Sequence, residues 1–263
     1  MKIDWTKYFD KIVCVHYLPY KERYETLCKE LDYVDILNSP IFEWKYVLNN
    51  EKILDIVQKS SFNQMHKNVN SISNTLSEFD IWNLSAFYDY KHTLIIEDDV
   101  VFRKNKEQIF EILENLPDDY DICLFDYVFN KNLNIIKYNE LDNQIDGINT
   151  NYYGIYTKGF LTSCYSISNK YAKYIVNYFP YYDNSILHAA DGYMSPNEKL
   201  PIEVYKNNFN SFYKSIYSKY QLTIQQGFKS SNNYSEFNNL YVYNSDWVEK
   251  NPKLNIKDFY EVF

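Results

Sequence analysis

The chain has 263 residues, with 27 Lys and Arg against 35 Asp and Glu, a net charge of −8. That acidic balance argues against a general nucleic-acid binder, which needs a basic surface, and 19% aromatic with 46% hydrophobic residues excludes a disordered chain. Only 5 residues are Gly and no GxGxxG occurs; Gly154 and Gly159 have phosphate-loop spacing, but Phe160 follows where that loop needs Lys, so a phosphorylated ligand needs another kind of cradle.

The four cysteines, Cys14, Cys28, Cys123 and Cys164, lack metal-site spacing. Three lie in apolar runs and read as buried thiols, which suits a reducing cytosol. The N-terminus has no signal-peptide pattern, and no run approaches the roughly 20 apolar residues of a membrane span. The expectation is a cytoplasmic protein, with peripheral contact at a membrane left open through scattered Tyr, Trp and Lys.

In chain order, Lys11 to Tyr17 (KIVCVHY) reads as a buried strand. Tyr20 to Leu31 has helical spacing, and Tyr33 to Leu37 suggests a second strand. Ser71 to Tyr90 predicts a helix capped by Ser71, with Ile72, Leu76, Phe79, Trp82 and Ala86 on one face. His92 to Ile96 is a short apolar strand that stops at Glu97, Asp98 and Asp99. Asn105 caps a helix reaching Leu116, and Pro117 ends it. Asp121 to Tyr127 and Ser163 to Ile167 read as strands, and Asn169 as the cap of a helix reaching Phe179. Residues 130–151 are polar and rich in Asn, a candidate variable loop, and the pattern turns irregular from about residue 180. Strands alternating with helices predict a single α/β domain over residues 1–263, with a mostly parallel central sheet flanked by helices.

The segment richest in chemistry is Thr93 to Phe102, TLIIEDDVVF. Three carboxylates stand where a buried strand leaves its sheet, and ligands of open α/β sheets bind at the carboxyl ends of strands. Adjacent anions repel, which raises their pKa values unless a cation sits among them. Hard oxygen donors suit Mg²⁺ or Mn²⁺. A solvated acidic turn has the same composition, but apolar runs on both sides hold this turn rigidly near the sheet. A metal there could bridge a diphosphate in place of a glycine loop. Glycosyl transfer, phosphoryl transfer and phosphate hydrolysis are all open to such a site. A hydrolase with an Asp nucleophile would need Asp in place of Glu97.

Leu76-Ser77, Trp82 and the run Leu94 to Val100 (LIIEDDV) resemble the signature of glycosyltransferase family 25. That family includes bacterial lipopolysaccharide galactosyltransferases and collagen-type hydroxylysine galactosyltransferases. Glu78 stands where the family has His. Ile12 to Leu18 with Glu22-Arg23 is similar to the family's opening strand and turn, with His16 in place of Asn and Pro19-Tyr20 in place of an Arg pair. Gly159 to Ser168 with Ala172, Ala190 to Tyr193, and Gln225 to Ser231 resemble further family segments in the same order, with Asn232 where Asp is common.

The resemblance spans roughly residues 10 to 232. It implies a GT-A type fold, Mn²⁺ or Mg²⁺ as cofactor, and inverting transfer of galactose or glucose from a UDP-sugar to a hydroxyl of a glycan or glycoconjugate. It also implies roles. Asp99 is the first metal ligand, and Glu97 reaches the metal or the nucleotide. Asp98, between them, contacts the nucleotide side or turns into the fold. Arg23 is a nucleotide or diphosphate donor or an ordinary surface arginine, and His16 a nucleotide contact or a structural histidine. An inverting transfer needs a base for the acceptor hydroxyl, and Asp191 has the family position for it. His188 is a metal or acceptor contact or a surface side chain. Asp126 lies on the same rim as Glu97, as a substrate contact or a turn cap. Tyr152, Tyr153, Tyr156, Tyr193 and Tyr205 fall in segments around the acceptor side. Two other readings stand beside the transferase: a non-catalytic glycan- or partner-binding relative, and a metal-dependent phosphatase.

Overall fold

A computed structural model describes residues 1–47, 69–126, 151–155, 163–178, 215–218, 220 and 222–225. The first strand, β1 (Lys11–His16), shows why the chain folds in layers. Its Ile12 and Cys14 pack on one side of the sheet, and Val13 and Val15 on the other. A strand buried on both faces has no polar alternation, which is why it reads as a continuous apolar run. The side of Ile12 is covered by α1 (Lys21–Tyr33) and α3 (Lys106–Glu114), through Leu27, Leu31, Ile109, Ile112 and Leu113. The side of Val13 is covered by α2 (Val69–Phe87) and α4 (Asn169–Tyr178), through Phe79, Trp82, Tyr171 and Ile175. The result is helices on both faces of one sheet.

The remaining strands are β2 (Phe42–Tyr46), β3 (His92–Glu97), β4 (Val100–Phe102), β5 (Ile122–Leu124), β6 (Tyr153–Ile155), β7 (Cys164–Ser168), β8 (Ser215–Ser218) and β9 (Thr223–Gln225). Six of them join β1 in a seven-stranded sheet of order β2-β1-β3-β7-β5-β8-β6, while β4 and β9 form a separate antiparallel pair. The main sheet is mixed. β1, β2, β3, β5 and β8 run one way, and β7 and β6 run the other. The expected parallel character therefore holds for five strands of seven and is interrupted at β7, in the middle.

Several sequence expectations need correcting. Residues 33–37 are not a strand. α1 continues to Tyr33, and the chain then turns through Asp35, whose φ of 65° is in the left-handed region. The N–H groups of Ile36 and Leu37 both bond the Leu31 carbonyl, closing the helix end. Val34 and Ile36 look strand-like because both are buried, but they plug the core beneath α1. The indole N–H of Trp5 donates to the Val34 carbonyl at 2.7 Å and fixes that plug. The second strand is instead Phe42–Tyr46, at the sheet edge beside β1.

Ser71 is a helical residue within α2 (Val69–Phe87), not the residue that precedes the helix. The cap of α4 is Ser168, whose hydroxyl accepts from the Tyr171 N–H at 3.1 Å; Asn169 is the first helical residue and its amide donates to the Ser85 carbonyl. Tyr153, expected on the acceptor side, is buried and donates its hydroxyl to the Ile112 carbonyl at 2.7 Å. Tyr152 donates to Glu111. Tyr156, Tyr193 and Tyr205 lie outside the described residues, as do 130–150 and most of the chain beyond residue 180. Within that last part β8 and β9 are formed, and β8 enters the main sheet. The four cysteines are free thiols, with Cys14, Cys123 and Cys164 buried in strands. Among the described residues no helix is long and apolar enough to cross a membrane.

The cap of α3 is as the sequence predicts. Asn105 Oδ1 accepts from the Gln108 N–H at 2.9 Å, and the Gln108 side chain accepts from the Asn105 N–H at 3.3 Å. Such a reciprocal box satisfies two donors that a helix start leaves open. Asn105→Ala is expected to cost about 1 kcal/mol, read as a lower urea midpoint with an unchanged m-value.

Candidate functional site

β1 and β3 are parallel neighbours, with Val15 opposite Glu97, so His16 and Glu97 emerge at the same edge of the sheet. Asp98 and Asp99 make the two-residue turn from β3 into β4. β4 leaves the main sheet to pair with β9, so both arms of the turn are fixed by strand pairing. The Glu97 N–H donates to the Ser163 carbonyl at 2.7 Å, which adds a third tether from the segment entering β7.

The three carboxylates do different things. Asp98 is a brace. Its Oδ2 meets His16 Nδ1 at 2.7 Å and the Tyr17 N–H at 3.0 Å, and its Oδ1 accepts from Arg23 Nη1 at 2.9 Å. Burial raises the carboxyl's pKa, but these bonds outweigh it and hold Asp98 below the ordinary value. The same Arg23 nitrogen reaches Asp99 Oδ2 at 3.3 Å. Arg23 is buried, and its guanidinium lies over the Tyr20 ring at 4.7 Å. His16 is 2% exposed and sits among Tyr24, Trp44 and Tyr46, with ring centroids 5.3 to 6.2 Å away. His16, Arg23 and Asp98, separate candidates in the sequence, are thus one hydrogen-bonded group that binds β1 and α1 to the acidic turn.

Glu97 points to other partners. It is half-buried, and its Oε1 accepts from Asn74 Nδ2 of α2 at 2.9 Å. Burial first, then the charges of Asp99 and Glu78, push its pKa well above the ordinary value, with the Asn74 hydrogen bond opposing them. Glu97 and Asp99, two residues apart on one turn, thus repel each other. Two carboxylates so placed are stabilised by a shared proton or by a cation. Among the described residues no three His, Cys, Asp or Glu side chains converge to cage a metal by themselves. A pair of carboxylates does fit Mg²⁺ or Mn²⁺ of the kind held by one or two acids together with substrate phosphates.

Asp126 lies on the same rim, linked to Glu97 through one residue. Ser163 donates its hydroxyl to Asp126 Oδ2, while its carbonyl accepts the Glu97 N–H. Asp126 is fully buried. Asp191 and His188 lie outside the described residues.

Sequence reasoning missed Asn74, Tyr165 and Ser163 and gave Glu78 no role. Glu78 is fully buried, and its Oε2 accepts from the Tyr165 hydroxyl at 2.5 Å. The available signal was spacing: Asn74 and Glu78 are four residues apart, in line with the apolar Trp82 a further four along.

No family model matches the chain, and no curated protein matches it. A solved structure of the apo form of the glycosyltransferase GlyE from Streptococcus pneumoniae TIGR4 is similar at 10% identity and a TM-score of 0.35, covering 78% of this chain and 44% of that one. A second structure of the same glycosyltransferase gives 10% and 0.35, covering 95% of this chain and 51% of that one. The chain thus spans about half the length of these structures. A likeness of this degree carries no weight for fold type or activity, and the GT-A type and family 25 remain expectations of the sequence.

Proposed function

We propose that the chain is a metal-dependent inverting glycosyltransferase that moves galactose or glucose from a UDP-sugar to a hydroxyl of a glycan or glycoconjugate acceptor. The supporting observation is the geometry of the turn at the carboxyl end of β3: Glu97 and Asp99 flank Asp98, and His16, Arg23 and Asp98 brace the turn from β1 and α1. A divalent cation bound by Glu97 and Asp99 would neutralise the diphosphate of a sugar nucleotide as it leaves. Asp98 holds the turn in place, and Arg23 carries positive charge beside Asp99, where it favours an anionic ligand. The base that takes the acceptor proton is Asp191, on the resemblance alone.

In a thermal-shift assay, UDP with Mn²⁺ should raise the melting temperature, while UDP without metal or Mn²⁺ alone should do little. Two carboxylates without phosphate oxygens bind such a cation weakly. Asp99→Ala should abolish the joint shift. If UDP stabilises this variant as well as the parent, the metal assignment is wrong. The Arg23 bonds to Asp98 and Asp99 neutralise part of the cluster without a metal, and this favours a second reading, a binding relative without catalysis. Slow hydrolysis of a UDP-sugar in the absence of acceptor would exclude that reading.

A further inference from the structure

The side of α2 that faces the sheet carries a polar stripe. Asn74, Glu78 and Trp82 are spaced by four, so they stack along one line of the helix. Trp82 Nε1 donates to the Tyr165 hydroxyl at 2.8 Å, that hydroxyl donates to Glu78 Oε2 at 2.5 Å, and Asn74 Nδ2 donates to Glu97 Oε1 at 2.9 Å. Tyr165 is directly opposite Ile95, two residues before Glu97 on the same strand. The stripe therefore runs from the core to the acidic end of β3. Apolar side chains would fill this seam without the cost of burying polar groups. A polar seam that ends on Glu97 calls for an explanation at Glu97.

Asn74 supplies the one hydrogen bond to the Glu97 carboxyl found among the described residues. Its donor is neutral. A Lys or Arg in its place would pin Glu97 equally well but would neutralise it and repel a cation. An amide fixes one oxygen and leaves the negative charge for a metal. Groups that orient a metal's ligands in this way commonly contribute 10- to 100-fold to metal affinity.

We propose that Asn74 is a positioning residue for cation binding: it holds Glu97 Oε1, so that Oε2 is presented to a divalent ion shared with Asp99. Glu78, Tyr165 and Trp82 continue the stripe deeper along α2 and add to the fit of the helix on the sheet, without touching Glu97 themselves. This rests on the metal-dependent reading above. The test measures Mn²⁺ affinity by electron paramagnetic resonance of free Mn²⁺, at saturating UDP, on the full chain. Asn74→Ala should bind Mn²⁺ about tenfold more weakly, with a metal-free melting temperature close to that of the parent. Trp82→Phe removes a bond deeper in the stripe and should lower the melting temperature while leaving Mn²⁺ affinity within about twofold of the parent. If Asn74→Ala binds Mn²⁺ like the parent, or if Trp82→Phe loses as much affinity, the positioning role is wrong and the metal reading survives. If the parent itself shows no Mn²⁺ binding with UDP, both are overturned.

Discussion

Arg23→Ala should lower the unfolding free energy by about 3 to 5 kcal/mol, the range for breaking a buried ion pair from one side. The side chains of Arg23, Asp98 and Asp99 are 10%, 8% and 10% exposed, so water cannot replace the lost guanidinium. His16 and the Tyr17 N–H still serve Asp98 Oδ2, which places the loss toward the lower end. Asp99 is left beside Glu97 with less compensating charge. Urea unfolding at pH 7 measures the loss. Adding Asp98→Asn to Arg23→Ala should recover part of it, because the stranded charge is then gone. The pH dependence follows from the depressed pKa of Asp98. A carboxyl that is more acidic folded than unfolded stabilises the fold above its unfolded pKa, near 4. That stabilisation is lost as the pH falls through the folded value. Below pH 4 the parent should therefore lose stability more steeply than Arg23→Ala. A single variant within about 1 kcal/mol of the parent, as for an exposed pair, would mean that the cluster is solvated and is not a brace.

What the sequence made legible, and what it did not, has a physical pattern. β1, β3 and α3 were readable because burial or a cap acts on adjacent residues: the KIVCVH and HTLII runs, and the Asn105 to Gln108 box. β2 was not, although FEWKY alternates aromatic and charged residues, because it is a five-residue edge strand with no fully buried side chain and so lacks an apolar run. The direction of β7 was not either. Cys164 to Ser168 is buried throughout and looks like a parallel strand, since direction is set by the path of the connecting chain and not by the strand's own residues. The place of the site was legible in Glu97-Asp98-Asp99, but the division of labour among the three acids was not. Asp98 is turned inward by His16 and Arg23, 82 and 75 residues distant. Glu97 is set by Asn74, which looks in sequence like any polar helix position. Which oxygen meets which donor is decided by how β4 leaves the sheet, and no local pattern encodes that.

Glu78→Gln should gain stability over the parent as the pH rises from 5 to 8. Burial pushes the Glu78 carboxyl up to about 8, against the hydrogen bond that Tyr165 donates to it. In the unfolded chain it titrates near its ordinary value of 4.5. Below that value both states hold the proton and Glu78 has no effect on the balance. Above it the unfolded chain releases the proton and the folded chain keeps it. Stability then falls by about 1.4 kcal/mol per pH unit until the folded group also ionises near 8. Over pH 5 to 8 this amounts to as much as about 4 kcal/mol, and Gln, which does not titrate, escapes it. Glu97 adds in the same direction, since the Glu78 charge is among the causes of its own raised pKa. The amide introduces a constant offset, because among the described residues Glu78 Oε1 has no hydrogen-bond partner that a new N–H could use. That offset does not change with pH, so the slope of the difference between the two chains is the quantity to read. Urea unfolding at half-unit steps gives it directly. Parallel slopes from pH 5 to 8 would mean that Glu78 ionises like an exposed carboxylate. The fit of α2 against β7 would then owe nothing to a neutral Glu78, and Tyr165 would be hydrogen-bonded to an anion open to water.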